Sequence, residues 1–251
     1  IIHNADEWNR VLECEADFQN PYWQAVEAMT DLALQNCDNR YLVGITDLHG
    51  NWDILAALRD PQMLCMDVFD CPETVAKVAN HVATGFVQAF ERLYGKIAAH
   101  GQGSTTWLPF YHAGRGYVPS CDFWCMVSDE TARELILPSI LTEMQMLERS
   151  IFHLDGPQAL RHLDILLEIP QLSAVQWVYG AGAGPASRWI ETYQKIQRSG
   201  KSFQLIAETA DDALRVLETI GPRGVWLQID EWFDSIDEAD AFLTEVEKRS
   251  R

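Results

Sequence analysis

Apolar positions recur every three to four residues over the long stretches of this chain and in short runs between them, and the two patterns alternate. The clearest helical face runs through Val75, Val78, Val82, Phe86, Phe90 and Leu93. It opens at Cys71-Pro72-Glu73 and closes near His100-Gly101. Residues 1–40 read as helical, with Asn20 as cap and Pro21 at the first helical position. Ile54, Leu55 and Leu58 belong to a helix that stops before Asp60-Pro61. Strands are expected at residues 41–46, 122–127, 150–154, 174–179, 203–207 and 225–229, with a weaker one at 105–111 that Pro109 bends. Ser128, Thr209 and Ser235 precede helical patterns as caps, Pro138 interrupts one, and Gly200 and Gly221-Pro222 end others.

This alternation predicts an α/β fold, a parallel sheet with helical crossovers. A doubly wound sheet and a closed barrel both fit the order. A closed eightfold barrel takes about eight strands, and about six are legible. At 251 residues and 47% hydrophobic content, the chain can bury one barrel-sized core, so one domain over 1–251 is expected.

The net charge of -18 repels nucleic-acid phosphates and anionic lipid heads, which argues against either as a partner. None of the six cysteines forms a C-x-x-C pair, and no apolar run is long enough to span a membrane. Reduced thiols in the cytoplasm are therefore expected. The chain begins Ile1-Ile2.

In a parallel β/α fold, reactive side chains lie where strands end. The sharpest candidates are His153 and Asp155. They sit two residues apart, and so on one face, just before Gly156-Pro157 breaks the strand. An imidazole beside a carboxylate suits a metal site or an acid–base pair. Asp47 and His49 repeat the arrangement on an earlier strand, with helix capping as the plainer reading. Asp122, Tyr179 and Glu208 follow other strands, Trp177 is a candidate pocket wall, and Arg115 comes in from a loop. His162 and Asp164 read as helix surface or support. The Gly180–Gly184 loop lacks the Walker lysine and the full dinucleotide fingerprint, so a flexible turn is expected.

Several stretches resemble the uroporphyrinogen decarboxylase-like superfamily, which includes that decarboxylase and the corrinoid and coenzyme M methyltransferases. They are Thr46-Asp47-Leu48-His49-Gly50 with 53–59, Met126-Val127-Ser128-Asp129 with Leu137-Pro138, His153-Leu154-Asp155-Gly156-Pro157 through Asp164, and Ile169-Pro170 with Gln176-Trp177-Val178 and the glycine loop. The resemblance spans roughly residues 40–248 and implies a (β/α)8 barrel, here lacking its N-terminal strands.

In the methyltransferase branch a His-x-Cys-Gly motif and a later Cys bind zinc. His153 matches the histidine, Asp155 replaces the first thiolate, and no Cys follows Cys125. The resemblance then implies a zinc site of His153 and Asp155, with Glu208, Asp230 or Glu231 as third ligand, suited to oxygen or nitrogen acceptors rather than thiols. The expected function is methyl transfer from a methylated small molecule or a corrinoid protein. Asp47 and His49 would join the catalytic groups, and Tyr179, Glu208, Asp122, Trp177 and Arg115 the substrate pocket. Two alternatives stay open. One is cofactor-free decarboxylation of a porphyrinogen, which needs several cations around its carboxylates. The other is a non-catalytic barrel that binds small molecules.

Overall fold

The computed structural model describes residues 1–250, in two compact units, Ile1–Ser150 and a second from Ile151 onward. Five strands form an all-parallel sheet in the order β1 (Gly116–Tyr117), β2 (Arg149–Asp155), β3 (Ala174–Val178), β4 (Ser202–Ala207) and β5 (Val225–Ile229). Helices alternate with strands β2 to β5, which is the crossover pattern that parallel pairing requires. No described helix is long and apolar enough to cross a membrane.

The first unit is mostly helical. Asn20 caps Pro21–Asn36 through its side-chain oxygen, which accepts from Tyr22 N. The long helix Pro72–Ala99 buries Phe86, Phe90, Leu93 and Ile97 against Leu34, Val43, Ile45 and Tyr117. Tyr117 packs edge-on to Phe86 and Phe90, with ring centroids 5.4 and 5.7 Å away. A further helix, Pro61–Asp70, which the periodicity did not predict, is capped by Asp60, whose carboxylate accepts from Gln62 N and Met63 N. The break expected at Pro138 takes the form of a π turn, Ala132–Ile136. Proline has no N–H for the helical ladder, and its ring crowds the carbonyl of the preceding turn.

Two expected strands are not strands. Residues 41–46 keep the alternation of a strand, with Val43 and Ile45 buried and Leu42 and Gly44 exposed. Their backbone bonds go elsewhere: Val43 N donates to Gln102 Oε1 and Ile45 N to Thr105 O. The periodicity correctly reports which side chains face the core, but no neighbouring strand completes a ladder. Residues 122–127 hold a 3-10 turn, Phe123–Met126, because the Asp53 carboxylate accepts from Asp122 N and Phe123 N and caps it. The weak strand expected at 105–111 is not formed either; an antiparallel bridge, Ser104 to His112, flanks it, and the short β1 follows at Gly116–Tyr117.

The second unit follows the sequence closely. Phe152, Leu154, Val175, Trp177, Phe203, Leu205 and Ala207 alternate along their strands and are all fully buried. Each fully buried large side chain contributes roughly 1.5–3 kcal/mol. The intervening positions carry His153, Asp155, Gln176 and Gln204 on the other face. Thr209 and Ser235 cap Ala210–Ile220 and Ile236–Arg249 as expected.

Candidate functional site

Each unit holds its own cluster of polar groups. In the first, His49 follows an irregular segment held by the Tyr117 hydroxyl, which donates to Thr46 O and accepts from Leu48 N. Burial pushes the Tyr117 phenol well above its ordinary value, so it stays protonated. His49 Nε2 lies 3.2 Å from Asp47 Oδ2, and its Nδ1 lies 3.9 Å from Asp53 Oδ2. The two carboxylates, Asp53 first and then Asp47, outweigh partial burial and push the ring up to about 9. The raised pKa favours the charged ring at neutral pH, so His49 can serve there as a proton donor or a positive charge.

Behind it, Gly50 and Asn51 turn the chain into the helix Asn51–Arg59, Asn51 adopting a φ of +46° that asparagine tolerates. Asn51 Nδ2 donates to both carboxyl oxygens of Glu143, at 3.1 and 3.0 Å, and to Ser120 O. Glu143 is 1% exposed. Burial pushes its carboxyl up to about 8, against the pull of Asn51 and the His49 charge. A Cβ on Gly50 would collide with Glu143 Oε1, so only glycine lets this carboxyl approach the turn. His49 borders two clefts of this unit. One, of about 540 Å³, has Leu48, Ile54, Val82 and Phe86 in its wall; the other, of about 300 Å³, is shared with Asp53, Asp122, Phe123 and Met126.

In the second unit, His153 and Asp155 project from the end of β2, with ligating atoms within 4.8 Å of each other. His153 Nδ1 is 2.5 Å from Gln176 Oε1. Gln176 Nε2 donates to Gln204 Oε1 at 2.7 Å, and Gln204 Nε2 to Gln228 Oε1 at 2.8 Å. Gln228 Nε2 donates to Asp230 Oδ1 at 3.1 Å. One glutamine from each of three successive strands thus joins the histidine to a carboxylate. A separate cleft of about 200 Å³ is lined by Tyr179, Gly180, Glu208 and Asp230. Tyr179 donates its hydroxyl to Ile206 O; burial, and then the Glu208 charge, push its phenol up to about 12.

Of the residues expected in a site, Asp47 joins His49, His153 joins Asp155, and Tyr179 joins Glu208. Asp122 borders the 300 Å³ cleft with His49. Two expectations need correction. Trp177 is fully buried, edge-on to Trp189 with centroids 5.2 Å apart, and forms core rather than pocket wall. Arg115 is paired with Glu91 at 2.7 Å and lies over the Tyr94 ring, so its charge is already engaged. His162 is buried, and Asp164 is exposed and pairs with Lys195.

The expected third metal ligands do not join His153 and Asp155. No group of three candidate ligand atoms among the described residues contains Glu208, Asp230 or Glu231. Glu208 lies against Gly184, Asp230 ends the glutamine ladder, and Glu231 accepts from Ala210 N at the start of a helix. A ring nitrogen and a carboxylate are donor types that zinc takes, and they supply two of the three protein ligands of a catalytic site.

Asp53, Asn51, Glu143 and the three glutamines were missed from sequence. Two signals were present: a glutamate on the apolar face formed by Ile136, Ile140 and Met144, and a lone glutamine inside each of three apolar strands. Comparisons of the chain with protein-family models, with curated proteins and with solved structures found no match.

Proposed function

We propose that the chain is a barrel-type enzyme of the uroporphyrinogen decarboxylase-like kind that transfers a methyl group to a small oxygen or nitrogen acceptor. One observation carries this reading: His153 and Asp155 present a ring nitrogen and a carboxylate together at the end of a parallel strand. His153 is partly exposed and Asp155 exposed, so an acceptor can reach both. His153 and Asp155 would hold zinc, whose Lewis acidity, when bound, makes an acceptor X–H more acidic. The chain's own part is to fix both groups on a rigid strand end and to keep the acceptor beside them. The acceptor's lone pair then takes the methyl carbon, its proton passes to solvent, and the donor leaves with the bonding pair. A methylated corrinoid on a partner protein is the proposed donor.

The engaged state of two arginines of the first unit counts against decarboxylation. Arg59 and Arg115 are both paired with carboxylates, whereas a porphyrinogen's acid groups need open cations. The test is demethylation of methylcobalamin by a panel of alcohols and amines, followed by cobalamin absorbance. We expect acceptor-dependent turnover that falls by at least roughly 100-fold in His153→Ala, more than the loss of an outer-shell partner, with circular dichroism unchanged. Porphyrinogen turnover that is undiminished in His153→Ala contradicts the reading.

A further inference from the structure

The glutamine ladder has a direction. A glutamine amide has one accepting oxygen and one donating nitrogen, so a chain of amides linked end to end must be oriented as a unit. Asp230, at the far end, has a carboxylate that only accepts. Gln228 must therefore donate to it, at 3.1 Å. That commits Gln228 Oε1 to accept from Gln204, and Gln204 Oε1 to accept from Gln176. Gln176 Oε1 is then the atom that faces the histidine, and His153 Nδ1 has to donate to it. Reversing every amide would leave the Gln228 oxygen facing the Asp230 carboxylate, two acceptors with no proton between them.

We propose that Asp230, acting through Gln228, Gln204 and Gln176, fixes His153 as the Nδ1–H tautomer, so that Nε2 is the ring's lone-pair nitrogen. A histidine that ligates a metal or takes a proton through one nitrogen has its tautomer set by the bond the other nitrogen makes. Here that bond is oriented from three strands away. Gln176 and Gln204 are 4% and 1% exposed, so water competes little for these bonds, and each amide polarises the next. The strand register supports the chain: His153 lies beside Gln176, and Gln176 beside Gln204. Asp230 and the three glutamines are positioning residues; His153 is the group they position. The inference rests on the reading of His153 as a reactive or ligating residue only for its purpose, since the tautomer is measurable without any turnover.

The test uses the full chain with ¹⁵N-labelled histidine and long-range ¹H–¹⁵N correlation spectra recorded with the ring neutral. The His153 signals are assigned by their absence in His153→Gln. We expect a protonated, pyrrole-type Nδ1 and a pyridine-type Nε2. Asp230→Lys puts a donor at the end of the ladder in place of an acceptor. Asp230 is exposed, so the substitution does not touch the core. Every amide should then turn over, and His153 should switch to the Nε2–H form. Asp230→Asn, nearly the same shape, serves as a second variant and should populate both tautomers. An Nε2–H ring in the unaltered protein, or an Nδ1–H ring that persists in folded Asp230→Lys, overturns the proposal. A correct tautomer together with failed methyl transfer leaves the ladder standing and removes only the functional reading.

Discussion

Replacing Asp67 by alanine is expected to destabilise the first unit by about 3–5 kcal/mol, the cost of stranding a buried charge. Asp67 is buried in the helix Pro61–Asp70 and serves three donors at once. Its Oδ2 accepts from Arg59 Nε and Trp8 Nε1, both at 2.8 Å, and its Oδ1 from Arg59 Nη2 at 3.2 Å. The side chains of Arg59 and Asp67 are 7% and 3% exposed. With Asp67 gone, the guanidinium of Arg59 keeps its bond to His3 O, a neutral carbonyl, and loses the carboxylate that balanced its charge. The carboxylate, first through its bond to Arg59, also holds the guanidinium pKa above its ordinary value. Urea unfolding, followed by tryptophan fluorescence, measures the effect. A loss below about 1 kcal/mol, the value of an exposed pair, contradicts the account.

The second large effect is a pH dependence carried by Glu143. Its carboxyl is pushed from 4.5 up to about 8 in the folded chain. Between those values the folded state holds a proton that the unfolded state has lost. Stability therefore falls as pH rises from 4.5 towards 8, by roughly 3–5 kcal/mol in total from this one group. His49 adds to the same trend at higher pH. Its raised pKa stabilises the fold below about 6.5, and that contribution is lost as pH rises through about 9. Glu143→Gln keeps an oxygen for Asn51 and removes the titration. The variant should therefore show a much flatter stability profile between about pH 5 and pH 8 and exceed the unaltered protein at about pH 8. Equal slopes for the two proteins in urea unfolding across that range would show that Glu143 does not hold the proton.

Both effects lie where the sequence was hardest to read. Residues 61–70 combine Asp60-Pro61, a legible cap and first helical position, with the mixed run Met63, Leu64, Cys65, Met66 and Asp67. The start signal was present, but a buried aspartate on such a helix carries meaning only once Arg59 and Trp8 are known to face it. Glu143 is similar: it occupies an apolar position, and its reason is Asn51, 92 residues earlier. Partners that distant leave no local trace. The β2 to β5 region was legible because its central strands are fully buried on one face and its elements are bounded by Gly, Thr and Ser signals. Residues 41–46 failed as a strand for the opposite reason. Alternation reports side-chain burial, but a strand also needs a backbone neighbour, which here is replaced by Gln102, Thr105 and the Tyr117 hydroxyl. At the site, His153 and Asp155 were found by strand-end position, and the glutamines behind them were not. A glutamine inside an apolar strand has no motif, and its role emerges only when three of them are seen in line.

The measurement that bears most directly on the central claim is metal content, by elemental analysis of the purified protein and of His153→Ala and Asp155→Ala. The proposed site is expected to give near-stoichiometric zinc in the unaltered protein and loss of it in both variants, with folding unchanged. Protein that carries no zinc, or zinc that survives both substitutions, contradicts the assignment of His153 and Asp155 as the residues that hold it.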